Sequence, residues 1–477
     1  MTLKTARGTL ALLALEDAAP AVLFERLPGA SVPLWPDVRS GFMYALQKYD
    51  FQSTPVEPVP SPRSRAWLGL GRALLPSRWD SRTLRSRRSA MYLVGGGTTH
   101  PVDGKRRNWL IGSYTDQFPE SSAVLQWKAI GDQPPAFGLT RSLDPLSTRA
   151  AAYARLARTR TSSGEVRRHV AEFARLLDDR ITSGDIDAIT ASAHYSASIA
   201  RHLESQFSRL LDRVDPRVVL MEDASYGGRS ALVALMKSRG IHVVEPQHGW
   251  IGPTHGAYNF GAAMRAPELF ATLPDEVLTF GEYWSAGTRH PAVMTPIGKP
   301  HLEAMSALAP RWDDRAREVL LVSSVASPEE ATDFALALRA ALPAEWAVRF
   351  RPHPIERPTL DARYGRMLAQ PGIVLDDHGD VYESLALARG VVGVASTVLF
   401  EALAMGCRVF VRDSPYADYY VGDLFGSTIN GAADVDRVVR GLVGDRPPVV
   451  GAAVDAIWRP GAIEAFRSWA LGRIVPE

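Results

Sequence analysis

The chain has 477 residues, 46% hydrophobic and 22% charged, a composition ordinary for a globular protein and a length too great for one core, so two domains are expected. Lys+Arg 54 against Asp+Glu 52 leaves a net charge of +2, which gives nucleic acid no global attraction. The single cysteine, Cys407 in the apolar run 405–411, excludes an internal disulfide and a cysteine-cluster metal site.

In chain order, residues 10–15 form a short apolar run closed by Glu16 and Asp17 with no small-residue cleavage pattern. They are read as a first strand rather than a leader, and with no apolar window of membrane-spanning length a cytoplasmic protein is expected. A short apolar run at 21–24 and helical spacing over 38–46 follow, then a Pro- and Ser-rich loop at 53–65. Over 63–88, Arg63, Arg65, Arg72, Arg78, Arg82, Arg85, Arg87 and Arg88 face only Asp80 and interleave with Trp67, Leu68, Leu70, Leu74, Leu75 and Trp79. That pattern suits an anionic membrane surface, or else an arginine-rich face paired within the fold or solvated.

Residues 91–94 read as a strand running into Gly95-Gly96-Gly97. The stretch 97–105 has a phosphate loop's outline, but its glycine spacing is too long and Arg106 stands where Ser or Thr is required, so an acceptor-side loop is expected. Residues 140–211 are rich in Ala, Arg and Leu at helical spacing and predict a helical region. From 218 the texture alternates: strands at 218–221, 241–244, 276–280, 293–297, 319–322, 347–350, 373–375, 391–394 and 408–411, with helices at 230–239, 329–341, 382–388 and 399–405. This predicts an α/β protein with two doubly wound Rossmann-like domains, over 1–305 and 315–455, and a closing helix over 456–477 that crosses back to the first.

Ligands of open α/β sheets bind at the carboxyl edge, where helix N-termini offer N–H groups to phosphate. Two such corners stand out in the second domain. Arg351-Pro352-His353-Pro354 supplies a planar cation and a histidine, and Ser396-Thr397 opens a helix whose Glu401 suits ribose hydroxyls; the alternative is a proline-shaped turn and a helix cap. In the first domain, Glu245-Pro246-Gln247-His248-Gly249 follows a strand directly. His248 is the side chain there whose ordinary pKa suits proton abstraction, and Glu245 and Gln247 stand near enough in sequence to orient it. Gly249, Gly252 and Gly256 allow backbone to approach a ligand, and His255 is a candidate substrate contact. Glu222 and Asp223 end the preceding strand and either tune His248, hold an acceptor hydroxyl or cap the next helix. Lys299 at the domain junction suits a phosphate or a surface turn. Asp185-Ile186-Asp187 and Asp434-Val435-Asp436 spell acid-x-acid but follow no strand, so no metal site and no cofactor are expected.

Gln247-His248-Gly249, Arg351-Pro352-His353-Pro354, and Ser396-Thr397 with Glu401 together resemble bacterial surface-polysaccharide glycosyltransferases of the GT-B fold. The pattern is most similar to those with cytidine-nucleotide donors: teichoic acid glycerophosphotransferases, capsule Kdo transferases and bacterial sialyltransferases. The resemblance covers 218–411. It implies two domains across a cleft, a nucleotide-activated donor held by His353, Ser396 and Thr397, His248 as base, a glycan or glycolipid acceptor, and transfer of a sugar or polyol phosphate without a metal. Glu222-Asp223 is followed by Ala224 where sialyltransferases have glycine, which counts against sialic acid. A non-hydrolysing UDP-sugar 2-epimerase and a non-catalytic nucleotide-sugar-binding protein are the alternatives.

Overall fold

The computed structural model describes residues 6–50, 78–95, 98–128, 130–131, 133–156, 161–323, 327–422, 424–444 and 452–474. Within them, strands β1 (Ala90–Val94), β4 (Ser122–Gln126), β5 (Thr140–Ser142), β6 (Val218–Met221), β7 (His242–Pro246), β8 (Glu276–Thr279) and β9 (Val293–Pro296) form a sheet in the order β5-β4-β1-β6-β7-β8-β9. A second sheet runs β12-β11-β10-β13-β14 from β10 (Glu318–Val322), β11 (Ala347–Arg351), β12 (Ile373–Leu375), β13 (Gly390–Gly393) and β14 (Arg408–Val411). Every neighbouring pair in both sheets is parallel. Parallel central strands are covered on both faces and therefore read as unbroken apolar runs; Val218 to Met221 is buried throughout, as is Ala90 to Val94. In each sheet the chain starts in the middle, winds outward one way and returns to wind the other, which leaves topological switch points between β1 and β6 and between β10 and β13.

Loops that leave the carboxyl ends of the two sheets meet each other. Thr254, beyond β7, donates its hydroxyl to the Tyr419 carbonyl at 3.0 Å and accepts the Tyr419 hydroxyl on its own carbonyl at 2.5 Å. Lys299, beyond β9, pairs with Glu401 in the helix Thr397–Ala404 that follows β13. Gly379, beyond β12, lies against Pro101 of the first domain. The two carboxyl edges thus face one another, and the two-domain doubly wound α/β arrangement of the GT-B type is present.

Three local expectations are corrected. Residues 10–15 belong to the helix Arg7–Ala18 rather than a strand; the run is Leu and Ala, both strong helix formers, and its buried residues Thr9, Leu12, Leu13 and Glu16 recur at helical spacing. Glu16 is fully buried and accepts from Trp35 Nε1 at 2.9 Å, Arg39 Nε at 2.6 Å and the Gly261 amide at 2.8 Å, which ties this helix to Trp35–Asp50 and the first domain. The stretch 97–105 is largely an antiparallel hairpin of β2 (Thr99–Val102) and β3 (Lys105–Asn108), Gly97 lying outside the described residues. Its turn, Asp103-Gly104, has φ of 48° and 71°, the conformation that Asp-Gly favours in two-residue hairpins. The chain's end is two helices, Ala452–Ile457 and Ala462–Ala470, divided at Gly461 with φ of 71°. Glu303 accepts from the amides of Gly461 and Ala462 at 2.7 and 2.9 Å and so anchors the second of these helices. Phe466, Trp469, Ala470 and Ile474 pack with Tyr92, Val94, Tyr114 and Leu220 of the first sheet's core. Trp458 meanwhile donates to the Phe400 carbonyl at 3.0 Å.

The helical region contains Asp144–Leu156, Ser163–Leu177 and the 32-residue Ser183–Val214. Asp185 closes a capping box with Thr182 and pairs with Lys48 at 3.1 Å, and Asp187 pairs with Arg167. Asp434 and Asp436 stand at the start of Val435–Val443. Both acid-x-acid sequences are accordingly helix-end charges. No described helix is long and apolar enough to cross a membrane.

Candidate functional site

The loop at the first sheet's switch point begins with Glu222, whose carboxylate reaches across to accept the Gly95 amide at 2.6 Å. Burial raises its pKa, and Asp223 beside it pushes the same way. Asp223 follows in the left-handed region at φ 61°, a conformation that Asp and Asn tolerate better than other non-glycine residues. Gly227, at φ 73°, brings the loop so near the helix Trp35–Asp50 that a Cβ there would stand 2.0 Å from the Pro36 carbonyl oxygen. This backbone presents the Asp223 carboxylate to His248: Nε2 lies 3.2 Å from Oδ1. The other ring nitrogen, Nδ1, is buried and has no hydrogen-bond partner among the described residues. An acid on one imidazole nitrogen and an unengaged lone pair on the other is the disposition of a general base.

The orienting acid is therefore Asp223, not Glu245 or Gln247. Gln247 spans the loop base, accepting from the Phe280 amide at 2.7 Å and donating to the Gly249 carbonyl at 2.8 Å. Glu245, fully buried, accepts from the Ser225 amide, the Ser225 hydroxyl and the Tyr258 hydroxyl. His290 Nδ1 accepts the Ala292 amide, so in the neutral ring Nε2 carries the proton and donates it to Ser225 Oγ at 2.9 Å. His255 is arranged likewise: Nδ1 accepts the Ala257 amide and Nε2 donates to the Tyr226 hydroxyl at 3.1 Å. Burial pushes both histidines down to about 3, so they stay neutral and keep their hydrogen bonds to Tyr226 and Ser225. Sequence reading missed Ser225, Tyr258 and His290, which become neighbours only through the fold.

Of the loop's glycines, a Cβ at Gly249 would meet no atom of the described residues within 4 Å. Gly252 and Gly256 are instead required by packing, since a Cβ would press on Trp250 at 2.5 Å and on Met43 at 2.8 Å. Beyond Trp250 a cavity of about 550 Å³ lies between the two domains, with Trp250, Tyr283, Tyr419 and Tyr420 on its wall.

Burial drives the Glu245 carboxyl up to about 7 from an ordinary 4.5. A folded-state pKa above the unfolded one means that the native state holds the proton more tightly. Stability is then fully present below about 4.5 and falls as pH rises through about 7. The Glu245→Gln variant is expected to lose stability more slowly than the parent between pH 5 and 7.5 in urea titrations, the difference reaching on the order of 3 kcal/mol. Parallel pH profiles would refute this assignment.

On the second sheet, Arg351 ends β11 and its Nη1 donates to the fully buried Asp376 at 2.6 Å, where the Ser384 hydroxyl also donates at 2.7 Å. Only Nη1 is engaged among the described residues, so Nε and Nη2 remain for an anion. His353 caps the short helix Pro354–Thr359: its Nδ1 accepts the Ile355 amide at 3.3 Å, while Glu356 returns a carboxylate to the His353 amide at 3.0 Å. Burial lowers the His353 pKa, and with Nδ1 accepting, the proton of the neutral ring is on Nε2. Glu356 was missed, although its spacing from His353 is that of a capping box; it also accepts from Tyr364 at 2.5 Å, which makes the turn rigid. Ser396 caps the helix Thr397–Ala404 by accepting the Val398 amide at 3.2 Å, and Thr397 is half-buried beside it. Lys299 and Glu401, expected as separate donor contacts, hold each other at 2.5 Å, both buried. The structure thus gathers Glu222, Asp223 and His248 at one carboxyl edge and places Arg351, His353, Ser396 and Thr397 along the other.

No protein-family model and no curated protein matches this chain. Solved structures similar to it include a putative UDP-N-acetylglucosamine 2-epimerase from Listeria monocytogenes, 13% identical over 81% of this chain and 96% of that one, with a TM-score of 0.45. A UDP-GlcNAc 2-epimerase from Methanocaldococcus jannaschii is 9% identical over 80% and 98%, at 0.47. The calicheamicin glycosyltransferase CalG4 is 14% identical over 82% and 100%, at 0.45. At these values no activity passes from them to this chain.

Proposed function

We propose that the chain is a glycosyltransferase that takes a sugar or polyol phosphate from a nucleotide-activated donor, cytidine-linked by the resemblance of its motifs, to a surface-polysaccharide or glycolipid acceptor. The observation that carries this reading is the Asp223–His248 pair, with its unengaged Nδ1, on a carboxyl edge opposite one bearing Arg351, His353 and a helix N-terminus. In a sugar transfer, a shift of the His248 side chain or of its loop uncovers Nδ1, and the acceptor hydroxyl gives its proton to that nitrogen as its oxygen bonds the sugar's anomeric carbon. The bond from that carbon to the nucleotide phosphate breaks, and the leaving phosphate keeps the electron pair. Asp223 stabilises the imidazolium through Nε2–H, while Arg351, His353 and the amides at Thr397 offset the charge on the departing phosphate. The aromatic-walled cavity next to Trp250 suits the apolar faces of an acceptor sugar. Within the basic stretch 63–88, Arg82 pairs with Asp80 at 2.5 Å and Arg87 lies 3.6 Å from Asp215, while 63–77 fall outside the described residues.

Thermal-shift measurement with CMP, CDP, UDP, GDP and TDP identifies the nucleotide, since a ligand that binds only the folded chain raises its stability. Arg351→Ala and His353→Ala are each expected to weaken binding of that nucleotide by about 1.5–3 kcal/mol; Arg351→Ala also strands the buried Asp376 carboxylate and lowers the melting temperature, so affinity is compared at a temperature where both variants are folded. Unchanged affinity in both variants by calorimetry would overturn the donor-site assignment. Conversion of a sugar nucleotide in the absence of any acceptor would identify an epimerase instead.

A further inference from the structure

Three elements that share no role in the proposed transfer converge where the β2–β3 hairpin meets the second domain. His100 is in β2, His301 lies in the first turn of the helix Pro300–Ala307, and Asp380 is the N-cap of Val381–Leu387. One ring nitrogen of each histidine and one carboxylate oxygen of Asp380 all lie within 4.8 Å of one another. His301 Nε2 is 2.9 Å from Asp380 Oδ2, and the two imidazole rings lie 5.2 Å apart at 34°. His100 Nδ1 is buried without a hydrogen-bond partner among the described residues.

From this geometry we propose that His100, His301 and Asp380 form a binding site for a divalent transition metal of the zinc class, which fastens the hairpin of the first domain to the second. Two imidazoles and a carboxylate are the donor set that zinc accepts in preference to magnesium or calcium, with the fourth position open to water or a ligand. Bonds of about 2.0–2.1 Å to zinc set ligand atoms roughly 3.3 Å apart in a tetrahedron, so the cluster needs only a small rotation of an imidazole to close. The supporting contacts are in place. Asp380 Oδ1 accepts the Tyr382 amide at 3.1 Å, which leaves Oδ2 directed at His301, and the Tyr382 ring meets His301 edge-on at 4.9 Å. Metal ligation needs neutral imidazole. The opposing charges are Arg106 and Arg107; the first is held by Thr99 and the second is paired with Asp116 at 2.5 Å. The site is separate from the acid-x-acid sequences and independent of the transfer reaction, and it departs from the expectation of a chain without a metal.

The test is metal binding to the whole chain after dialysis against chelator. Calorimetry with Zn²⁺ is expected to give one site per chain, and Co²⁺ the intense visible bands of a four-coordinate nitrogen and oxygen environment. His100→Ala, His301→Ala and Asp380→Asn should each weaken Zn²⁺ binding at least tenfold and abolish those bands, while the chelated variants melt as the chelated parent does. His100→Gln serves if His100→Ala fails to fold. His378→Ala changes the only other such grouping among the described residues, Asp376, Asp377 and His378, and should leave Zn²⁺ affinity unaltered. No stoichiometric binding, or a loss on His378→Ala with none on His100→Ala, overturns the proposal and leaves a plain His301–Asp380 ion pair.

Discussion

His248→Ala is expected to lower turnover by about 10²–10⁴-fold, the usual contribution of a positioned general base, while nucleotide affinity stays within twofold of the parent. The two readouts separate because His248 stands on the first sheet's edge and the expected phosphate contacts on the second. Within the fold, Nε2 is committed to Asp223, so the nitrogen that takes the acceptor proton is Nδ1. A buried lone pair with no partner costs roughly 1–3 kcal/mol, and a hydroxyl donated to it by a bound acceptor removes that cost. Asp223→Asn preserves the side-chain size and tolerates the left-handed backbone at φ 61°, but supplies no negative charge to the imidazolium. Because the two residues act through one ring, the double variant should be scarcely slower than His248→Ala alone. Additive losses would show that Asp223 acts on something other than His248. Retained turnover in His248→Ala would remove the base from this edge altogether.

Much of this architecture was legible because the central parallel strands are buried on both faces, and the partly exposed edge strands are mostly β-branched or aromatic all the same. Val218 to Met221, Ile373 to Leu375 and Arg408 to Val411 have the bounds read from the sequence, and His248, Arg351 and Ser396 follow strands closely enough for their edge positions to be inferred. The N-terminal helix was misread since six apolar residues give too short a window to tell period 3.6 from a buried strand; Glu16, polar and yet fully buried, carried the helical signal. The hairpin was readable in Asp103-Gly104, whose residues favour the two positive φ values found there. What sequence could not supply was the choice among partners, since Glu222, Asp223, Glu245 and Gln247 all read as candidates to tune or orient His248. Asp223 rather than Glu245 reaches His248 because a left-handed residue re-aims the loop, and nothing in the letters fixes that angle. Lys299 and Glu401, 102 positions apart, become one unit only when the sheets' carboxyl edges meet.

That unit gives the largest expected effect on stability. Lys299→Met should destabilise the protein by about 3–5 kcal/mol, the penalty for leaving one partner of a buried ion pair without its counter-charge. Both side chains are less than a tenth exposed and their charged atoms lie 2.5 Å apart. The ammonium is further enclosed by aromatic rings, with Trp109 at 4.6 Å, Phe280 at 5.1 Å and Trp458 at 5.7 Å from their centroids, faces that favour a cation and offer nothing to a carboxylate left alone. Glu401→Leu should cost a similar amount by stranding the lysine. The double variant Lys299→Met with Glu401→Leu tests the physics, because two apolar side chains of similar volume remove both desolvation penalties and can equal or exceed a buried pair in stability. It should recover most of either single loss in urea denaturation. If Lys299→Met alone unfolds at the parent's midpoint, the pair does not join the domains. If the double variant is as unstable as the sum of the singles, packing rather than charge holds this junction together.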